Sequence, residues 1–339
     1  MKHLLGCAMA LLAISAVADS RQMADRIFWN GTIYTADSQQ RVVEAVATRG
    51  DRIIYVGDRA SAEKLVGERT KIVDVAGKMV LPGLHDVHIH PVLSLERMTC
   101  ELPGRNEFSL EEVVTQLQHC LQQLGERAPE PGTWITVAQF NGYGADAADY
   151  LGKYTSIREG LNAVSSSHKI FLYGADGHVF AVNDYALQHG ATLNGQHHPV
   201  NAATLNAGLS QYKEYFQLDG DGRPTGLVKD AGAYDLFKYE QESARSLASR
   251  ADDFNEYFHS AGITTAQEPW AKPRDIETYD LMDRDKSLDV RMTLAISLLK
   301  DKHLDSKGLV RRGRFIEEVR AIRSRMASYP NLKADSVKL

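Results

Sequence analysis

The sequence has little of three features that would by themselves assign a protein class: cysteine, an excess of basic residues, and long apolar runs. It has 3 cysteines in 339 residues, 39 Lys and Arg against 44 Asp and Glu, and a formal net charge of −5. The absence of a basic run, or of basic residues interleaved with aromatic ones, excludes nucleic acid as an expected partner. No long apolar run follows the first residues, which excludes a membrane span in the body of the chain. The composition, 43% apolar and 24% charged, is typical of a soluble globular protein with one large domain or two.

Residues 1–18 are predicted to form a secretory signal peptide. Met1-Lys2-His3 supplies a short positive region, Leu4–Ala16 is an apolar core too short to span a membrane, and Ala16-Val17-Ala18 is a small-residue cleavage site. The mature protein is therefore expected to begin near Asp19 and to be secreted, into the periplasm if the source is a Gram-negative bacterium. No membrane attachment is expected after cleavage.

Cysteine is scarce enough that the mature protein can form at most one disulfide. Cleavage of the signal peptide removes Cys7 and leaves Cys100 and Cys120. An oxidising compartment permits a disulfide between them, whereas two buried free thiols are equally compatible with their spacing.

Residues from about 25 to 80 have the pattern of short β-strands. Ile27–Tyr34 contains an Asn-Gly pair at positions 30 and 31, which is a hairpin turn signal. Ala45–Gly57 is a second strand pair, with its turn at positions 50 and 51, and Ile72–Leu81 makes a third. The sequence therefore predicts a small β-rich subdomain over residues 19–80.

From Val80 onward, predicted strands and helices alternate. Ser109 and Glu112 form a capping box that starts a helix at about residues 110–125. The other predicted elements are buried strands at 134–138 and 169–173, a helix at about 244–260, strands at 262–268 and 290–296, a helix at about 312–327 and a strand from 336. Alternation of this kind indicates a parallel α/β barrel.

The segment from Leu81 to Pro91 reads LPGLHDVHIHP and is predicted to be a strand that ends in His88 and His90. Alternate side chains of a strand point to the same face, so both imidazoles can reach one metal ion. An imidazole pair suits zinc and similar divalent ions. The alternative is a pair of strand histidines that face solvent. His85 is interpreted as a packing or surface histidine.

This segment is the first of several motifs that occur in order along the chain. They are Pro82-Gly83 with Asp86-x-His88-x-His90, Phe171–His178, the Gly-x-Pro-Thr-Gly stretch within Asp219–Gly226, Gly262–Thr265 and Val337-Lys338. Together they resemble the amidohydrolase superfamily, in particular the amidohydrolase 3 subgroup, which includes the N-substituted formamide deformylases and the YtcJ-like proteins. The resemblance implies an α/β fold in which a small β-sandwich subdomain, residues 19–80, precedes a TIM-like (β/α) barrel. The barrel would cover residues 81–339, with insertions, and would be incomplete at the C-terminus.

The resemblance also implies a metal site. In this family a lysine that follows a valine late in the barrel is carbamylated and bridges two metal ions, and Lys338 occupies that position; the alternative is an exposed terminal lysine. One or two divalent metal ions, zinc by default, are therefore expected on His88, His90 and Lys338. Asp176 and His178 are expected to face the pocket and bind substrate, although Asp-Gly is also a common turn pair.

The expected catalytic set lacks its general base. In the family, an aspartate after the last barrel strand serves this purpose, and it is expected beyond Leu339 together with two more histidine ligands. This chain is therefore predicted to be the N-terminal part of a longer enzyme. Glu268, at the end of a predicted strand, is left open between a pocket-facing residue and a strand-end salt bridge.

The function that the resemblance implies is that of a secreted metal-dependent amidohydrolase. Metal-activated water would hydrolyse a non-peptide carbon–nitrogen bond in a small-molecule substrate whose identity the sequence does not give. The alternative is a truncated, non-catalytic remnant or binding module of the same family. Assembly into a homo-oligomer is left open.

Overall fold

The structure, a computed structural model, describes residues 23–39, 41–103, 108–237, 241–298, 303–305 and 309–338. The predicted signal peptide, residues 1–18, lies outside the described residues. No helix within the described ranges is both long enough and apolar enough to cross a bilayer.

The described residues form strands β1–β17 and helices α1–α12. The strands are β1 Arg26–Tyr34, β2 Val42–Arg49, β3 Arg52–Gly57, β4 Lys71–Asp74, β5 Met79–Val80, β6 Leu84–Asp86, β7 Cys100–Glu101, β8 Trp134–Phe140, β9 Lys169–Gly174, β10 Val179–Val182, β11 Thr192–Leu193, β12 Gln196–His197, β13 Phe216–Leu218, β14 Pro224–Lys229, β15 Ile263–Ala271, β16 Arg291–Ser297 and β17 Leu332–Lys338. The helices are α1 Arg59–Glu63, α2 Pro91–Leu95, α3 Leu110–Leu124, α4 Ala148–Leu151, α5 Ile157–Val164, α6 Asp184–His189, α7 Ala202–Leu205, α8 Asp230–Leu236, α9 Ala244–Ala248, α10 Ala251–Ser260, α11 Pro273–Arg284 and α12 Arg312–Met326.

The chain divides into two compact units. Unit 1 consists of Met1–Pro91 and Ala248–Leu339, and unit 2 consists of Val92–Leu247. These units have other boundaries than the predicted β-rich subdomain, residues 19–80, and the predicted barrel domain, residues 81–339. That predicted division stays a prediction.

The N-terminal sheet of unit 1 has the strand order β3-β2-β1-β4, and β5 also pairs with β1. The hairpin predicted at Asn30-Gly31 is wrong, because β1 runs through both residues and pairs with β2 on either side of them. Asn30 does adopt the positive φ that the Asn-Gly pair favours, at 60°, but the result is a register shift between Trp29 and Ile33. A side chain on Gly31 would meet the Lys78 carbonyl oxygen at 2.3 Å, so the close approach of the backbone requires glycine there.

The second sheet of unit 1 is parallel and has four strands in the order β17-β16-β15-β6. The carboxyl ends of all four strands therefore lie along one edge. The strand predicted from Ser336 begins earlier, at Leu332, and the single helix predicted at about 244–260 is two helices, α9 and α10. β6 and β17 are the outer strands, and this sheet is not closed among the described residues.

Unit 2 contains a mixed sheet with the order β13-β14-β10-β9-β8-β7. The strands predicted at 134–138 and 169–173 belong to this sheet and not to the parallel sheet of unit 1. The predicted barrel over 81–339, with insertions, stays a prediction. Strands β9, β10, β14 and β13 pair antiparallel, an arrangement that the alternation of strands and helices in the sequence does not predict.

Helix α3 covers one part of the unit 2 core, and its start is the one that the sequence predicts. The Ser109 side chain accepts from the Glu112 backbone N–H, and the Glu112 carboxylate accepts from the Ser109 N–H, which completes the capping box. The disulfide that the sequence left open is formed: Cys100 of β7 is bonded to Cys120 of α3.

Candidate metal centre

The two histidines of the predicted metal motif lie directly after β6. This strand ends at Asp86, so the argument from alternating strand side chains does not apply to His88 and His90. A turn brings the rings together instead: the His88 N–H donates to Asp86 Oδ1 over 3.0 Å, and the His88 and His90 ring centroids are 5.6 Å apart. The segment is tied to β15 by the Ile89 N–H, which donates to the Gln267 carbonyl.

Glu268 fixes the orientation of the His90 ring. The carboxylate lies on β15, is only 2% exposed, and places Oε1 2.7 Å from His90 Nδ1. The same oxygen accepts from the Trp270 N–H over 2.9 Å, which holds the carboxylate itself. An ionised carboxylate only accepts hydrogen bonds, so a neutral imidazole paired with it would carry its proton on Nδ1 and leave the lone pair of Nε2 for a ligand. A carboxylate behind a histidine in this way is the usual outer partner of a metal-binding imidazole.

Lys338 lies at the end of β17, opposite Ser297 of β16, and is exposed. It is on the same edge of the parallel sheet as the two histidines. However, β17 and β6 are the two outer strands, about 14 Å apart along a flat sheet. Among the described residues no group of three or more His, Cys, Asp or Glu could hold a metal ion together.

Asp176 and His178 lie in unit 2, in the turn between β9 and β10. Asp176 Oδ1 accepts from the backbone N–H groups of His178 and Val179, over 2.9 and 3.1 Å, so this carboxylate supports the turn. His178 Nδ1 lies 2.7 Å from Asp230 Oδ1 at the start of α8. Sequence reasoning did not single out Asp230, because 52 residues separate it from His178 and no local motif marks it.

A fully buried tyrosine lies close enough to Glu268 for the two groups to interact electrostatically. Tyr279, on α11, is 0% exposed, and its hydroxyl has no hydrogen-bond partner among the residues that the structure describes. Burial raises the pKa of this hydroxyl well above its ordinary value, and the negative charges of Glu268 and Asp275 raise it further. Burial also raises the pKa of the Asp275 carboxyl. The Tyr279 hydroxyl therefore stays neutral and contributes no hydrogen bond to the site.

Replacing Tyr279 with phenylalanine is expected to stabilise the protein by about 1 kcal/mol, because a buried hydroxyl without a partner costs its desolvation free energy. Urea unfolding of the wild type and Tyr279→Phe measures the difference. Tyr257→Phe is the matched control, since Tyr257 is 53% exposed and should change nothing. A loss of stability in Tyr279→Phe would mean that the hydroxyl makes a hydrogen bond in solution.

Solved structures with this fold belong to metal-dependent hydrolases. An uncharacterised metal-dependent hydrolase from Pyrococcus horikoshii OT3 matches with a TM-score of 0.53 and 19% identity, over 92% of this chain and 53% of that chain. A second, from Pyrococcus furiosus, matches with a TM-score of 0.52 and 18% identity, over 92% and 55%. At these identities the likeness establishes the fold alone, an α/β fold shared with metal-dependent hydrolases.

The family is established by the sequence. The model of the amidohydrolase family (Amidohydro_3) matches residues 71–339, so the chain belongs to the amidohydrolase family. It is 24% identical to the N-substituted formamide deformylase of Arthrobacter pascens, over 77% of this chain and 45% of that protein. It is 26% identical to the exoenzymes regulatory protein AepA of Pectobacterium carotovorum subsp. carotovorum, over 72% and 49%. The chain thus spans about half the length of these relatives.

Proposed function

We propose that this chain carries part of the active site of a metal-dependent hydrolase that cleaves a non-peptide carbon–nitrogen bond. The observation that carries the proposal is the pairing of His90 Nδ1 with the buried carboxylate of Glu268, next to His88. Family membership and the formamide deformylase among the relatives support an amide-like bond as the target. We further propose that β6, β15, β16 and β17 are four neighbouring strands of a TIM-like barrel, since they are parallel and carry the histidines and Lys338 at their carboxyl ends.

The two neighbouring imidazoles fit part of the ligand set of a divalent metal ion. His88 and His90 would hold it through imidazole nitrogens, and Glu268 would keep the His90 ring in the tautomer that leaves Nε2 unprotonated. Lys338, as a carbamate, would supply oxygen ligands if the sheet curves, as in the proposed barrel, and so brings the end of β17 towards the end of β6. Bound zinc would provide a water of lowered pKa and a Lewis acid for the carbonyl oxygen of the substrate.

Secretion is part of the proposal. The disulfide between Cys100 and Cys120 supports an oxidising compartment, because such bonds are rare in reducing ones. The apolar leader at residues 4–16 agrees with export to the periplasm or the medium.

The proposal is tested by hydrolysis assays on the protein in the length that its native source makes, after it has been stripped with a chelator and reloaded with zinc and bicarbonate. N-formyl and N-acyl amides are compared with the matched esters. We expect hydrolysis of amides that requires added metal, that falls when bicarbonate is removed and that falls in Lys338→Ala. Lys333→Ala, an exposed lysine on the same strand, is the matched control.

Two results would contradict the proposal. Hydrolysis that a chelator leaves unchanged would exclude the metal, and hydrolysis of esters alone would exclude the carbon–nitrogen bond. The competing function is a truncated, non-catalytic remnant or binding module of the same family, which the position of β6 and β17 as the two outer strands would favour if the sheet were flat. Metal content near two ions per chain supports the hydrolase, and none or one ion without hydrolysis supports the module.

A further inference from the structure

A serine and a histidine of unit 2 form a short hydrogen bond in the loop between α5 and β9. Ser165 directly follows α5, and His168 directly precedes β9. The Ser165 hydroxyl oxygen lies 2.6 Å from His168 Nδ1. Both residues are half-buried, so the protein holds their side chains and solvent still reaches them. Neither residue belongs to the candidate metal centre, which is built from residues of unit 1.

The hydrogen bond on the other side of the imidazole determines which atom of the pair donates. His168 Nε2 lies 3.1 Å from the carbonyl oxygen of Pro129. A carbonyl oxygen only accepts hydrogen bonds, so Nε2 carries a proton. In the neutral imidazole Nδ1 is then the acceptor, and the Ser165 hydroxyl donates to it. A nucleophile bonded to a base, which a third group orients, is the arrangement that activates a serine.

A buried asparagine holds the loop that carries the pair. Asn183 is 0% exposed, and its Nδ2 donates to the carbonyl oxygens of Ser165 and His168, each over 2.9 Å. Its Oδ1 accepts from the N–H groups of Ile170 and Ala186, each over 3.0 Å. The hydrogen-bonding capacity of this amide is thus fully used. Both ends of the loop are therefore fixed from one buried point.

The segment that supplies the orienting carbonyl is tied to the same loop. The Gly132 N–H donates to the Ser167 carbonyl over 2.7 Å, and the Lys169 N–H donates to the Thr133 carbonyl over 2.9 Å. These bonds lie at the start of the parallel pair of β8 and β9. They keep the Pro129 carbonyl within reach of the imidazole.

The carboxyl end of α5 favours the charge that forms when the histidine takes a proton. Ser165 is the C-terminal cap of this helix, which is 8 residues long. The partial negative charge at the end of a helix stabilises a cation in its last turn. His168 Nδ1 bonds to the side chain of the cap, so an imidazolium ion at that position is stabilised.

We propose that Ser165 is a nucleophile that His168 activates, and that it accepts an acyl group from an activated ester. The Ser165 oxygen forms a bond to the acyl carbon while His168 Nδ1 takes the hydroxyl proton. The ester C–O bond then breaks, and this proton passes to the oxygen of the leaving alcohol. Water, deprotonated by the same histidine, releases the acyl group as a carboxylic acid and restores the serine hydroxyl.

Two probes test the proposal on the protein in the length that its native source makes, with a chelator present throughout. Release of p-nitrophenolate from p-nitrophenyl acetate gives the rate of acyl transfer. Diethyl p-nitrophenyl phosphate labels the nucleophile, and peptide mass spectrometry locates the label. We expect the label on Ser165. In His168→Gln both reactions should slow by about 100-fold or more, because the general base is lost while glutamine can still donate to the Pro129 carbonyl.

Two further variants distinguish a nucleophile from a serine that only shapes the loop. Ser166→Ala is the matched control, because Ser166 is an exposed serine of the same loop and its loss should change neither reaction. Ser165→Cys keeps a nucleophile at the same position and should be acylated on the thiol, whereas Ser165→Ala should lose both reactions. A label on Ser166 or Ser167, no label at all, or equal rates in the wild type and His168→Gln would overturn the proposal.

The chelator separates this site from the proposed metal centre. Ester hydrolysis at Ser165 should be the same with and without it, whereas amide hydrolysis at the metal centre should stop. The assays of the metal centre are therefore repeated in Ser165→Ala, in which the ester hydrolysis of this second site is absent. Release of p-nitrophenolate that the chelator abolishes would overturn the role of Ser165 and leave the hydrolase function standing.

Discussion

Replacing His90 with alanine is expected to abolish zinc binding at the end of β6, because it removes one of the two imidazoles that lie 5.6 Å apart there. Replacing Glu268 with glutamine is expected to weaken zinc binding by about 10- to 100-fold, the usual effect of losing the carboxylate behind a metal-binding histidine. Glutamine nearly preserves the shape of the side chain but removes the charge that holds the proton on His90 Nδ1. Zinc affinity is measured by competition with a chromogenic chelator.

Two variants serve as controls for this prediction. His85→Ala removes an exposed histidine of β6 itself, and Glu277→Gln removes an exposed carboxylate of α11. Both are expected to bind zinc as the wild type does. If His90→Ala retained the full affinity, the ligand assignment would be wrong. If Glu268→Gln bound zinc normally while His90→Ala did not, the carboxylate would have no part in orienting the ring.

Loss of the disulfide is the second large effect that we expect. Cys100 and Cys120 are separated by 20 residues. A disulfide that closes a loop of that length lowers the conformational entropy of the unfolded chain and so stabilises the folded state by about 3 kcal/mol. Because the bond joins β7 to α3 within unit 2, the loss should be confined to residues 92–247. Hydrogen exchange followed by mass spectrometry measures it, comparing the wild type with the Cys100→Ala, Cys120→Ala double variant.

The expected result is faster exchange in unit 2 and unchanged exchange in the parallel sheet of unit 1. A reducing agent should accelerate exchange in the wild type and have no further effect on the double variant. Equal protection of unit 2 in the two proteins would show that the disulfide contributes little to its stability.

Local sequence patterns predicted those elements whose signals lie within one turn or one strand. The capping box of Ser109 and Glu112 predicted the start of α3. The Asn30-Gly31 pair predicted a hairpin turn wrongly, because the positive φ of Asn30 is compatible with a register shift inside a strand as well as with a hairpin turn. Only the neighbouring strand decides between the two outcomes.

The sequence predicted that His88 and His90 lie close together, which the structure shows, whereas it left the partner of Glu268 open. His88 and His90 stand in one short motif, but the carboxylate that orients His90 is 178 residues away along the chain. Asp230 is likewise remote from His178 along the chain, and the contact between them depends on strand register in an antiparallel sheet that the alternation of strands and helices did not predict. The cysteine spacing alone could not decide the disulfide, because that bond depends on how β7 and α3 pack.

The measurement that tests the central claim most directly is zinc K-edge X-ray absorption on the zinc-loaded chain. We predict a first shell that includes two imidazoles, with the multiple scattering that imidazole rings produce, and the loss of that signal in the His88→Ala, His90→Ala double variant. A bound zinc ion without imidazole scattering, or an identical spectrum in the double variant, would contradict the assignment of the metal centre to the end of β6.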